Sequence, residues 1–216
     1  MSAPSFLLRL KAHYFWVFAV FGCISPYLPV YLREVKGLAP GQIGLILAAG
    51  QSGVLFLPPV MTFVADRYGW VAPLMLGLFG LNLAAMAGLS LATGFAACLL
   101  AVFFNQLANQ PQVALSDGLF FSLQRAVGAG STPFTSVRVW GTIGFIAPSA
   151  VIVSVFALGG LELVPYAAMA AAAVGMINAR HLPRRLERPP EARTRVPTAD
   201  AARLLVRPRL ALFCTG

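Results

Sequence analysis

Residues 116–148 read SDGLFFSLQRAVGAGSTPFTSVRVWGTIGFIAP, from Ser116 to Pro148. Two apolar stretches meet in this segment through a short polar link. Asp117 stands just inside the first stretch and Arg138 just inside the second. A charge inside an apolar segment is costly unless it is paired or put to use. The segment therefore predicts two consecutive helices in an apolar medium, carrying an acid and a base at the end where they are joined.

The whole chain supports that medium being a bilayer. Of its 216 residues 58% are hydrophobic and only 11% charged, with a mean hydropathy of +0.78. A soluble domain carries about 25% charged residues. The net charge of +9 does not indicate a nucleic-acid partner, because nine of the sixteen basic residues follow Asn178, outside the apolar part. Such a flank is expected on the inner side of a membrane, and no aromatic residues are interleaved with it to stack bases. Cys23, Cys98 and Cys214 lie far apart in apolar surroundings, and read as small apolar fillers. The N-terminus MSAPSFLLRLKAHYFW has no signal-peptide cleavage pattern.

A membrane-spanning helix needs about 20 residues, and six segments meet that length. They are Tyr14–Leu32, Gly41–Ala65, Val71–Ala92, Gly94–Leu123, Ser136–Leu158 and Leu161–Ala179. Short links between them predict an all-α bundle of antiparallel neighbours. With the N-terminus inside, Arg9, Lys11, Arg67, Arg125, Arg138 and the nine later basic residues face the cytoplasm, and only Arg33 and Lys36 lie outside. Fourteen against two sets the orientation. The expected organisation is a cytoplasmic N-terminus over 1–13, a bundle over 14–179 and a basic, Pro-rich cytoplasmic loop over 180–208. At 209–216 a seventh helix begins and is cut off. The loop is expected to lie against anionic membrane lipid.

Polar residues cluster at one depth. On the 1.5 Å rise per residue, Asn105, Gln106, Asn109 and Gln110 lie about 16–24 Å into the fourth span, near the middle of a roughly 30 Å core. Asn105 and Asn109 share one face, and Gln106 and Gln110 another. Gln51 and Ser52 in the second span reach a similar depth, as do Ser25, Pro26 and Tyr27 in the first and Pro148 and Ser149 in the fifth. Such amides are either interhelical glue or the lining of a wet site. As a cluster, Gln51, Asn105, Gln106, Asn109, Gln110 and Tyr27 are expected to line a solute site. The first, second, fourth and fifth spans would surround it, with the third and sixth outside. Asp117 and Arg138 are expected at the cytoplasmic mouth, as a static ion pair or as a gate that breaks and reforms. Pro111 predicts a kink in the fourth span.

VADRYGW, at 64–70, resembles the loop signature of the major facilitator superfamily between its second and third helices. Asp66, Arg67 and Gly69 match; Thr62 replaces the usual first Gly, and Trp70 and Val71 replace a basic pair. SVRVWGTIGFI, at 136–146, resembles the start of the fifth helix in the nucleoside:proton symporters and phenylpropionate-type permeases of that superfamily. ALSDGLFF, at 114–121, and RPRLALFCTG, at 207–216, resemble the end of the fourth helix and the lead into the seventh. The resemblance implies the N-terminal six-helix half of a twelve-helix fold, with the C-terminal half missing. It further implies secondary transport of a small organic solute by alternating access, with protons as the coupling ion and a nucleoside or an aromatic acid among candidate solutes. The expected location is a bacterial inner membrane. Asp66, Arg67, Asp117, Arg138 and Trp140 would then be gating residues.

Two other readings compete. One is a non-catalytic membrane subunit or inactive fragment. The other is an intramembrane serine protease, since Gly50-Gln51-Ser52-Gly53 reads GxSG and His181 follows the last span. The latter needs its base within hydrogen-bond reach of the serine, yet about 15 Å of depth separates the two on the helical rise. No phosphate-cradling GxxxxGK and no His/Cys/Asp cluster at metal spacing occurs, so no cofactor is expected.

Overall fold

Proline placement explains how the chain divides into helices. The structure, a computed structural model, describes residues 3–52, 57–127 and 132–182. The first span is α1 (Ala3–Ile24) followed by α2 (Leu28–Glu34). Pro26 and Pro29 each remove a backbone donor, and the three residues between the helices form a turn. The helix begins well before the expected Tyr14. Arg9 and Lys11 are good helix formers, and Phe6 before them and Leu10 between them are buried. The second span is α3 (Pro40–Ser52) and α4 (Leu57–Tyr68). Pro40 opens α3, where a missing N–H costs nothing, and the Gln42 side chain accepts a bond from the Ala39 N–H before it. Gly69 ends α4 at φ +69°, donating its N–H to the Ala65 carbonyl; only glycine takes that left-handed cap without strain.

Then come α5 (Val71–Leu91), α6 (Phe95–Val127), α7 (Phe134–Gly159) and, after a 3-10 turn at Leu161–Leu163, α8 (Val164–Ala179). Among the described residues, five spans are long and apolar enough to cross a membrane: Phe6–Glu34, Pro40–Tyr68, Val71–Leu91, Phe134–Ser154 and Leu161–Ala179. α6 has the length, with 33 residues. It also carries three glutamines, two asparagines and Asp117 between residues 105 and 117. The loop from 183 to 208 and the expected seventh helix at 209–216 lie outside the described residues.

α1 and α6 pack on each other at the centre. α7 and α8 flank α1, whereas α3, α4 and α5 flank α6; α5 and α8 meet behind the central pair. The other side of the pair lies open between α3 and α7. This is the division expected from the polar residues, with the third and sixth spans behind. One expectation needs correcting: α6 and α7 do not pack along their length, although they are consecutive. α1 stands between them, because small residues let it approach α7 very closely. A Cβ at Gly144 would fall on the Phe15 carbonyl, and one at Gly22 on the Phe145 carbonyl.

Candidate transport site on the open face

The charged pair of the opening segment comes together over α1. Arg138 Nε lies 4.0 Å from Asp117 Oδ1. The closer partner of that carboxylate is a residue the sequence did not single out: Tyr14 donates its hydroxyl to Asp117 Oδ1 at 2.5 Å. The Arg138 guanidinium instead lies on aromatic faces, its Cζ 4.4 Å from the Phe18 ring centre and 5.7 Å from that of Tyr14. Tyr14 and Phe18 are one turn apart, so a single face of α1 supplies both rings. Asp117 and Arg138 side chains are 35% and 34% exposed. Their long contact is therefore screened by solvent and contributes little to stability.

α6 divides its polar residues between two faces. Asn105, Asn109, Gln112 and Ser116 recur every three or four residues and are all buried. Asn105 and Asn109 are turned to the buried side of α6 in this conformation and not to its open face. Asn105 Nδ2 donates to Asn82 Oδ1 at 2.7 Å, and Asn82 Nδ2 donates to Asn109 Oδ1 at 2.9 Å. The physical reason lies on the third span: Asn82 is itself buried on α5 and bridges the two α6 amides, leaving the Asn109 Nδ2 group without a partner among the described residues. Gln112 and Ser116 donate back to carbonyls of their own helix. Gln106, Gln110 and Asp117 follow the other face and are half-exposed.

The remaining candidates fall around this open face. Gln51 is exposed near the end of α3, and its neighbour Gly50 brings α3 against α6, where a Cβ would stand 3.0 Å from Gln106 Cγ. Tyr27 is half-buried and donates its hydroxyl to the Ser149 carbonyl at 2.5 Å, which ties the break in the first span to the fifth. Thr142 and Phe145 continue from Arg138 along α7 and are exposed. Trp140 is exposed beside Arg138, outside the Tyr14–Asp117–Arg138 group. Asp66 and Arg67 are exposed at the end of α4, with Arg67 Cζ 5.9 Å from the Tyr68 ring centre.

Two further residues carried no sequence signal. His13 is fully buried, edge-on to Phe79 at 5.8 Å between ring centres. Lys36 donates to the carbonyls of Ser90 and Ala92 at 2.9 and 3.0 Å, closing the C-terminal end of α5. The protease reading finds no dyad. Ser52 donates to the Ala49 carbonyl on α3, whereas the His181 carbonyl accepts from Arg9 beyond the end of α8, and α3 and α8 do not pack on each other.

A bundle of membrane-length helices with one amide- and charge-lined open face is an integral membrane protein of the major facilitator fold. The chain belongs to the MFS_1 like family, whose profile matches residues 7–215. It is 28% identical over 214 residues to the nucleoside permease NupG of Escherichia coli (strain K12), covering 95% of this chain and 50% of the permease. It is 33% identical over 140 residues to the maltose permease of Geobacillus stearothermophilus, covering 61% of this chain and 33% of that protein. Two crystal structures of nucleoside transporter NupG, one of a point mutant, superpose on 96% of the chain with TM-scores of 0.74 and 0.80 at 24% identity, a likeness of fold. The chain spans about half the length of the relatives it matches. Those relatives are permeases rather than enzymes.

Proposed function

We propose that this chain forms the N-terminal half of a secondary transporter that carries a small organic solute by proton-coupled alternating access. The carrying observation is the half-exposed stripe Gln106–Gln110–Asp117 on α6, whose Asp117 end meets Arg138 over α1. Gln51, Gln106, Gln110 and Tyr27 supply donors and acceptors for the solute, and Asn105 and Asn109 hold α6 in place behind them. Asp117 and Arg138, with Asp66, Arg67 and Trp140, serve the gate. The N-terminus is cytoplasmic and the membrane is a bacterial inner membrane, its anionic lipid against the basic residues after Asn178. A nucleoside is the favoured solute, because the relative matched over most of this chain is a nucleoside permease. A second six-helix unit supplies the other wall of the path; without it the chain is the non-transporting fragment of the alternative reading.

The test is uptake of a radiolabelled nucleoside by cells expressing the full coding frame, with and without a protonophore. Uptake should collapse with the protonophore. Gln106→Ala and Gln110→Ala should each raise KM by roughly tenfold, the factor carried by about 1.4 kcal/mol. Arg138→Ala should lower turnover more than affinity. Uptake indifferent to the proton gradient sinks the coupling, and unchanged KM in both glutamine variants sinks the site.

A further inference from the structure

We propose that Tyr14 is the positioning residue of the gate: its hydroxyl holds the Asp117 carboxylate off Arg138 and keeps the guanidinium unlatched. The proposal rests on the gating reading of Asp117 and Arg138.

One carboxylate oxygen is contested. Asp117 Oδ1 is 2.5 Å from the Tyr14 hydroxyl and 4.0 Å from Arg138 Nε. A formed arginine–carboxylate bond is about 2.7–2.9 Å and commonly bidentate, so the observed ion pair stands about 1 Å short of closing. Tyr14 has the stronger hold because of where it sits. Its side chain is fully buried, and a buried hydroxyl that lost its acceptor would be left unsatisfied in apolar surroundings.

Arg138 has a seat that does not need Asp117. Its guanidinium lies on the Phe18 ring, an attraction that strengthens as water is excluded. Gly141, one turn along α7, makes room for this. A Cβ there would stand 2.9 Å from Arg138 Nη1 and 2.8 Å from Phe18 Cδ2. The molecule thus offers one acid two partners, Tyr14 and Arg138; the first is bonded while the cation stays parked on a ring. Closing the second would pull α7 toward α6 across α1.

Labelling of Arg138 by phenylglyoxal, an arginine-selective reagent, tests this in the 216-residue protein in detergent. The readout is the modification rate of the peptide containing Arg138, by mass spectrometry. Tyr14→Phe frees Asp117 to close on the guanidinium and should slow labelling by roughly tenfold, the scale of a hydrogen bond to a charged group. Adding Asp117→Asn to Tyr14→Phe removes the competing charge and should restore the wild-type rate. Wild-type or faster labelling in Tyr14→Phe overturns the proposal, as does continued protection in the double variant. No solute is present, so a failed uptake assay leaves this result standing, and a failed labelling assay leaves the transport reading intact.

Discussion

Asn82→Leu should destabilise the bundle by about 2–4 kcal/mol. The substitution keeps the branched shape of the side chain, though not its smaller volume, and removes both bonds of the buried triad, to Asn105 at 2.7 Å and to Asn109 at 2.9 Å. Interhelical side-chain bonds in membranes average about 0.6 kcal/mol each, so the two lost bonds account for about 1.2 kcal/mol of the loss. The rest comes from what stays behind. Asn105 Nδ2 and Asn109 Oδ1 would remain on a buried face with no acceptor and no donor, a penalty of about 1–3 kcal/mol for each unsatisfied group, eased where side chains reorient. The assay is reversible unfolding in mixed detergent and SDS micelles, followed by far-ultraviolet circular dichroism. The triple variant Asn82→Leu, Asn105→Leu, Asn109→Leu provides the decisive comparison. Replacing all partners by apolar groups of similar shape is close to neutral, so the triple variant should be more stable than the single one. A single variant within about 0.5 kcal/mol of wild type, below even one average bond, refutes the reasoning. A triple variant worse than the single would instead show that the three apolar side chains do not pack in place of the amides.

Gly144→Ala should cost about 1–3 kcal/mol, the usual range for overpacking, because its Cβ lands on the Phe15 carbonyl; a melting curve unchanged from wild type would show that α1 and α7 are not held by close approach. Gly80→Ala, with nothing within 4 Å of the added carbon, should be neutral or stabilising by up to about 1 kcal/mol from helix propensity, measured in the same melts. Lys36→Met should cost about 1–2 kcal/mol through loss of two charged bonds to the end of α5. It should also speed amide exchange over the last turn of α5, and unaltered exchange there would remove Lys36 as a cap.

The spans were legible because a bilayer demands about 20 apolar residues at a time; what shifted were their ends and the break within the first span at 25–27. The first span shows why. Arg9 and Lys11 read as a flank, yet Phe6 and Leu10 pack inside and Arg9 reaches the carbonyl of His181. Starting the helix at Tyr14 hid that residue at a terminus, when it lies more than two turns inside. The sorting of the amides was half legible. Spacing put Asn105 with Asn109 and Gln106 with Gln110, because four residues return to the same side of a helix. Spacing does not say which side is buried; that was decided by Asn82, 23 residues earlier than Asn105 on another span. Lys36 gave no signal at all, since capping a helix 54 residues away is a purely tertiary contact.

α6 is the most polar of the spans, and its polarity has two separate causes. On one face the amides are structural, and their cost in an apolar medium is offset only because α5 offers an amide in register. On the other face Gln106 and Gln110 meet no amide of that kind among the described residues, and Asp117 meets Tyr14 and a loosely held cation. Polarity on that face is tolerated because Gln106, Gln110 and Asp117 are half-exposed on the side left open between α3 and α7. The two faces should therefore separate by experiment: substitutions at 105 and 109 move stability, whereas substitutions at 106 and 110 move solute affinity while leaving the fold in place. The opening segment then joins the two regimes. Asp117 ends the open face of α6, and Arg138 begins the open face of α7. α1 touches both, through Tyr14 and Phe18. Movement of either arm is thereby reported to the other through α1, which is why the segment that reveals the fold also holds its gate.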